Sequence, residues 1–256
     1  MSIIYRPKGK AAEYSPWAAN FYNGCSNRCE YCYNRHCQAR ALLGKDTPTL
    51  KASLKDEDHA LAMFESECMK NLSELREGGL FFNFVSDPCL PETWELNMKA
   101  IVFAAGQGIT CTILTKRKEV VEYLRRLGWD ILQLWMTRRY LKVGFTLTGR
   151  DDLEPGASTN AERIEAMKTL YSWGIYTWAS IEPVIDINAS MSMIACSAAY
   201  CREYRIGLLS GKKSYTPKDV AEFKDTIDNH LHASKIVWKN SVLKYIEKEI
   251  NETRED

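Results

Sequence analysis

The sequence predicts an α/β protein, a partial (β/α)6 TIM-like barrel built as a single domain. Three observations predict it. Six short β-like runs alternate with helical patterns, the signature of a parallel sheet covered by helices. Polar residues follow these apolar runs at regular places, as they do where a barrel gathers its functional groups at the C-terminal ends of its strands. The length, 256 residues, suits one large unit with a substantial buried core.

The elements follow in order. Residues 1–19 read as an N-terminal segment packing on a barrel of residues 20–210, with residues 211–256 as a C-terminal helical extension. "ANFYN" (19–23) is a weak first strand, and the cysteine-rich stretch "GCSNRCEYCYNRH" comes straight after it. Leu61, Phe64, Cys68, Leu72 and Leu75 recur at spacings of three and four, which gives a helix one apolar face. The second strand, "LFFNFV" (80–85), leads into "SDPCLPE"; the third, "ITCTIL" (109–114), leads into Thr115 and Lys116. "GWDILQLWMTRRY" is longer than a tight connection needs, and the fourth strand, "KVGFTLT" (142–148), carries Thr146 and Thr148 near its end. The next helix places Ile164, Met167, Leu170 and Tyr171 on one face, and Gly174 is set to end it. The fifth strand, "IYTWASI" (175–181), precedes Glu182 and Pro183; the sixth is "YRIGLL" (204–209). "TPKDVAEFKDTIDNHL" opens with a threonine cap candidate and a proline at the first helical position.

Composition narrows the function. Hydrophobic residues at 45% and charged residues at 26% are those of a soluble globular chain, with no apolar run of about 18 residues to span a membrane. The first residues, "MSIIYRPKGKAAEYSPW", contain no continuous apolar stretch of the kind that directs export, so a cytoplasmic location is expected. In that reducing compartment nine cysteines point to metal rather than to disulfides. A net charge of +1 counts against a simple electrostatic nucleic-acid binder, and Arg138-Arg139 and Lys212-Lys213 read as solvated surface.

Cys25, Cys29 and Cys32 are spaced C-x3-C-x2-C. Zinc normally closes with four protein ligands, for which Cys37 and His36 would be needed, and no second pair lies at the usual distance. A [4Fe–4S] cluster held by three cysteines instead leaves one iron open to a ligand. Cys68, Cys111, Cys196 and Cys201 are too dispersed for a second cluster and read as structural thiols, and Cys37 reads as a helix residue beside the site.

With Tyr31 just before the last cysteine, "CSNRCEYCY" resembles the signature of the radical S-adenosylmethionine (SAM) superfamily. "GKAAEYSPWAANFYNGCSNRCEYCYN", "FVSDPCLPE", "ILTK" and Lys142 to Ile175 with "IEPVID" extend the similarity to its spore photoproduct lyase-like, or DNA repair photolyase-like, branch, over most of residues 8–187. The resemblance implies a radical SAM barrel with Cys25, Cys29 and Cys32 on a [4Fe–4S] cluster whose open iron binds SAM. Reductive cleavage of SAM would then start hydrogen abstraction from a substrate. It also implies Tyr31 against the SAM adenine, Lys116 on the SAM carboxylate, and Thr146 where the branch has a serine that contacts SAM. Ser86 and Glu182 would line the same cavity, although Glu182 can equally cap a helix or pair with an arginine such as Arg163.

A low-potential electron donor such as flavodoxin or ferredoxin is the implied partner, and no membrane is. One departure concerns the substrate. Spore photoproduct lyase has a hydrogen-donor cysteine two residues before its Ser-Asp; here that place is Phe84. Cys89 is the candidate redox-active donor in its stead, its alternative role being that of a small buried hydrophobe. A nucleic-acid lesion therefore stands beside a peptide or small metabolite as substrate. The rival of a different class is a non-catalytic Fe–S or zinc-binding protein.

Overall fold

The computed structural model describes residues 2–252. Its strands are β1 (Ile4–Tyr5), β2 (Ala18–Ala19), β3 (Tyr22–Asn23), β4 (Thr49–Leu50), β5 (Leu80–Phe82), β6 (Cys111–Thr115), β7 (Leu141–Thr146), β8 (Tyr176–Val184), β9 (Glu203–Leu208) and β10 (Lys235–Trp238). Its helices are α1 (Tyr33–His36), α2 (Arg40–Leu43), α3 (Glu57–Lys70), α4 (Leu72–Gly78), α5 (Trp94–Gly106), α6 (Val120–Arg126), α7 (Trp129–Arg138), α8 (Asn160–Ser172), α9 (Ile187–Ser197), α10 (Pro217–His230) and α11 (Asn240–Glu252). No helix among the described residues is long and apolar enough to cross a membrane.

Eight strands form one sheet in the order β1-β2-β5-β6-β7-β8-β9-β10, and β3 pairs with β4 apart from it. Only β1 runs antiparallel, against β2; the remaining pairs of the large sheet are parallel. The six expected strands appear as β2 and β5 to β9. Beyond them the sheet gains β10, parallel to β9, within a segment expected to be helical. Its apolar run, Ile236 to Trp238, is only three residues long and half-buried on the edge, too short to stand out between the helical patterns on either side.

Local chemistry sets the helix ends. Thr159 and Glu162 form a reciprocal capping box on α8, and Thr216 and Asp219 form another on α10 behind Pro217. Gly174 ends the α8 segment in a left-handed conformation, φ 84°, as its position predicts. The single helix expected across residues 61–75 is two, α3 and α4, because Asn71 leaves the helical region (φ −112°, ψ 20°) and its side chain donates back to the Glu67 carbonyl. The long stretch after α6 folds as α7.

Alternation along the strands divides the apolar residues between two faces. Phe82, Ile113, Val143, Phe145 and Ile206 pack toward the helices. On the other face, the barrel interior, Ala18, Phe81 and Trp178 pack with Tyr14, Phe84 and Leu114. Phe81 and Phe84 stack there with ring centroids 4.2 Å apart. Gly144 is required beneath Trp178: a Cβ on it would lie 2.1 Å from the indole Cε2.

The first residues join the sheet's two edges. After β1 the chain makes a 3-10 turn over Gly9–Glu13 that reaches the β9–β10 side. There Lys10 Nζ donates to Ser210 Oγ (2.9 Å), the Asn240 amide to Glu13 Oε2 (3.0 Å), and Arg205 Nη1 to the Tyr14 carbonyl (2.7 Å). Tyr14 then enters the interior.

Candidate functional site

The cysteine loop begins where β3 ends. Gly24, at φ 87°, lets the chain pass so close to residues 45–47 that a Cβ would lie 2.6 Å from the Thr47 carbonyl oxygen. The Cys25 amide then donates to the Lys45 carbonyl (2.9 Å), Arg28 turns the loop in the left-handed region (φ 51°), and Cys32 caps α1. The loop is docked at its other side onto the segment after β7. The Glu30 amide donates to Leu153 O (3.0 Å) and the Gly156 amide to Asn27 O (3.1 Å), with Gly156 too close to Ser26 to carry a side chain.

Around this loop the structure gathers four of the expected residues. Lys116 lies two residues past Leu114, an interior position, and its Nζ sits 5.3 Å from the Tyr31 ring centroid and 3.9 Å from Glu154 Oε1. Glu154 also accepts the Tyr31 hydroxyl and pairs with Arg163, which is wholly buried and donates to Ser158 O and Thr146 O (both 2.8 Å). Thr146 shares the interior face with Ser180, its register partner. Ser86 is buried with a hydroxyl that has no partner, and Asn27 Oδ1 is likewise unpartnered. Asp87 ties the group together, its two oxygens accepting from Asn27 Nδ2 (2.8 Å), the Lys116 amide (2.8 Å), Thr115 Oγ1 (2.7 Å) and the Cys89 amide (2.9 Å).

Electrostatics follow from burial. Loss of water pushes the Cys25 thiol up to about 12, with Asp87 pushing the same way and Lys116 opposing. Cys29 is raised by burial and drawn back by Lys116. For Lys116 burial opposes the charge, yet Cys29, Tyr31 and Glu154 outweigh it and hold the ammonium well above its usual range. A metal bound here must therefore displace thiol protons.

The donor set suits an iron–sulfur cluster. All three cysteines are free thiols on one loop, beside a cation and two buried oxygens that lack partners. Among the described residues no three His, Cys, Asp or Glu groups converge as a single ion would require. A cluster takes each thiolate on a different iron, so its ligands need not converge on one point. Cys37 turns its thiol to the Asn34 carbonyl (3.6 Å).

The other two expected residues have different surroundings. Cys89 is completely buried in the core between sheet and helices, where packing rather than access governs it, and burial raises its thiol well above the usual range. That placement fits the second of its two expected roles, a small buried hydrophobe. Glu182 does not pair with Arg163. It accepts from Lys239 Nζ (2.7 Å) and from Tyr14 Oη (2.5 Å), which also meets Ser180 Oγ (2.9 Å), so it faces the interior that Thr146 and Ser180 share. Asp87 and Glu154 were legible only as parts of "SDPCLPE" and "DDLEPG", with no spacing to mark them.

No family model matches the chain. It is 26% identical over 246 residues to an uncharacterized protein of Methanocaldococcus jannaschii, which spans 92% of this chain and 85% of that one. Among solved structures, SuiB of Streptococcus suis bound to SAM matches with a TM-score of 0.51 at 11% identity over 69% of this chain; the chain spans 43% of that longer protein. A mutant of spore photoproduct lyase matches with a TM-score of 0.66 at 13% identity, over 91% of this chain and 80% of its own. The mostly parallel, barrel-like sheet with its cysteine loop at the strand ends is thus the radical SAM fold. In fold, the likeness to spore photoproduct lyase extends along most of the chain.

Proposed function

We propose that this chain is a radical SAM enzyme that cleaves SAM reductively and abstracts hydrogen from an organic substrate. The observation that carries the reading is the convergence of the C-x3-C-x2-C loop with Tyr31, Lys116 and the unpartnered Ser86 hydroxyl at the strand ends of this fold. Cys25, Cys29 and Cys32 would hold a [4Fe–4S] cluster. When bound, that cluster supplies the electron that splits SAM into methionine and a 5′-deoxyadenosyl radical. Lys116 neutralises the SAM carboxylate, and Tyr31 packs against the adenine. Ser86 and Thr146 offer hydroxyls to polar groups of SAM on the interior face. Glu154 and Arg163 fix Tyr31 and Lys116 from beneath. A low-potential carrier, flavodoxin or ferredoxin, delivers the electron.

The likeness to spore photoproduct lyase favours a nucleic-acid lesion as substrate. Phe84 replaces the donor thiol with an aromatic ring stacked on Phe81, so the reaction does not use a cysteine at that place. Anaerobic reconstitution tests the reading. The protein should take up about four irons, and under dithionite it should form 5′-deoxyadenosine. Cys25→Ala, Cys29→Ala and Cys32→Ala should each abolish that product, whereas Cys37→Ala should keep it; a colourless protein with one zinc per chain would sink the proposal. Duplex DNA, RNA and peptide pools then compete in one assay, deuterium uptake into 5′-deoxyadenosine, and stimulation by peptides alone would remove the lesion from consideration.

A further inference from the structure

We propose that Asp87 is a positioning residue that locks the cysteine loop against the Lys116 strand end and whose charge makes the cluster held at Cys25 harder to reduce. The inference rests on the radical SAM reading above. Asp87 is 6% exposed and has no ion-pair partner among the described residues. Its four neighbours are all neutral donors, and they come from three separate parts of the chain. Oδ2 accepts from the Asn27 side chain of the cysteine loop and from the Lys116 amide. Oδ1 accepts from the Thr115 hydroxyl at the end of β6 and from the Cys89 amide of its own turn. Three of the four donors are N–H groups, which cannot accept, and between them they engage both oxygens. Both carboxyl oxygens thus accept from N–H groups, an arrangement that favours the ionised form.

Two consequences follow. The carboxylate cross-links the loop that bears Cys25 and Cys29 to the backbone of the residue proposed to bind SAM, so cluster and SAM sites share one anchor. Its direct partners are all neutral donors and no ion pair among the described residues cancels it, so its charge reaches Cys25, two residues from Asn27, where it works against the Lys116 ammonium. Reduction adds an electron to the cluster, and a nearby buried anion opposes that addition.

Three full-length reconstituted proteins test this: wild type, Asp87→Asn and Thr115→Val. Asp87→Asn removes the charge and turns one acceptor into a donor. Its midpoint potential in an EPR-monitored titration should move to more positive values, and its affinity for SAM, read by equilibrium dialysis, should fall about tenfold. Thr115→Val removes one donor and leaves the charge, so SAM affinity should fall while the potential stays. An Asp87→Asn protein with unchanged potential and unchanged SAM affinity overturns the proposal. Should Asp87→Asn fail to fold, Thr115→Val decides: unchanged SAM affinity there overturns the anchor. Absence of iron from the wild type would refute the radical SAM reading itself, a separate outcome.

Discussion

Arg163 and Glu154 show what a single buried charge is worth in this protein. Both side chains are completely buried, and Arg163 spends its remaining donors on the carbonyls of Ser158 and Thr146. Removing the guanidinium would leave Glu154 buried with only Lys116, 3.9 Å away, to offset it. Arg163→Leu should therefore cost about 3–5 kcal/mol, measured by urea unfolding of the metal-free protein, and a cost below about 1 kcal/mol would contradict the argument. At this scale the sequence was legible where chemistry is local and silent where it is not. Three cysteines within eight residues carry their spacing in the chain itself. Glu154 meets Tyr31 across 123 residues, and Asp87 meets Asn27 across 60, so neither role leaves a short-range pattern. Cys89 stayed open between two roles for the same reason: its position in the chain places it near Ser86, whereas the turn sends its side chain into the core.

Among the elements, β7 and β8 fit closely at one register pair. Trp178 lies across Gly144, its register partner, and no side chain can be added there without moving the indole. Gly144→Ala should cost about 1–3 kcal/mol and displace the aromatic group of Tyr14, Phe81, Phe84 and Trp178. A near-ultraviolet circular dichroism spectrum identical to that of the wild type would show that the interior adapts more freely. The strands and capped helices that pattern and caps announce, β5 to β9 with α8 and α10, formed where the sequence placed them. The elements it hid are those with weak patterns. β10 is short, edge-placed and half-exposed, and the break between α3 and α4 depends on one asparagine inside an unbroken apolar stripe.

Across the whole molecule, buried thiols link stability to pH. Burial pushes Cys68 and Cys201 up to about 12, and Cys89 and Cys111 well above the ordinary range. Unfolded thiols ionise near about 8.5. The folded state thus holds protons that the unfolded state gives up, so this stability is fully present below about pH 8.5 and is lost as pH rises toward 12. The urea midpoint of the metal-free, reduced protein should fall steadily from about pH 8 to about pH 10.5; a rising midpoint would contradict the assignment. The turn at Gly9–Glu13 has a consequence of another kind. Glu13 is secured by Asn240, 227 residues later, and the Lys10 carbonyl by Lys239, 229 residues later. β1 can pair with β2 and bond Glu67 from the outset, but the turn after it gains its partners only once β9, β10 and the start of α11 are in place. The two edges of the sheet are thereby tied by contacts of very high sequence separation, the kind whose loop-closure cost places them late in folding.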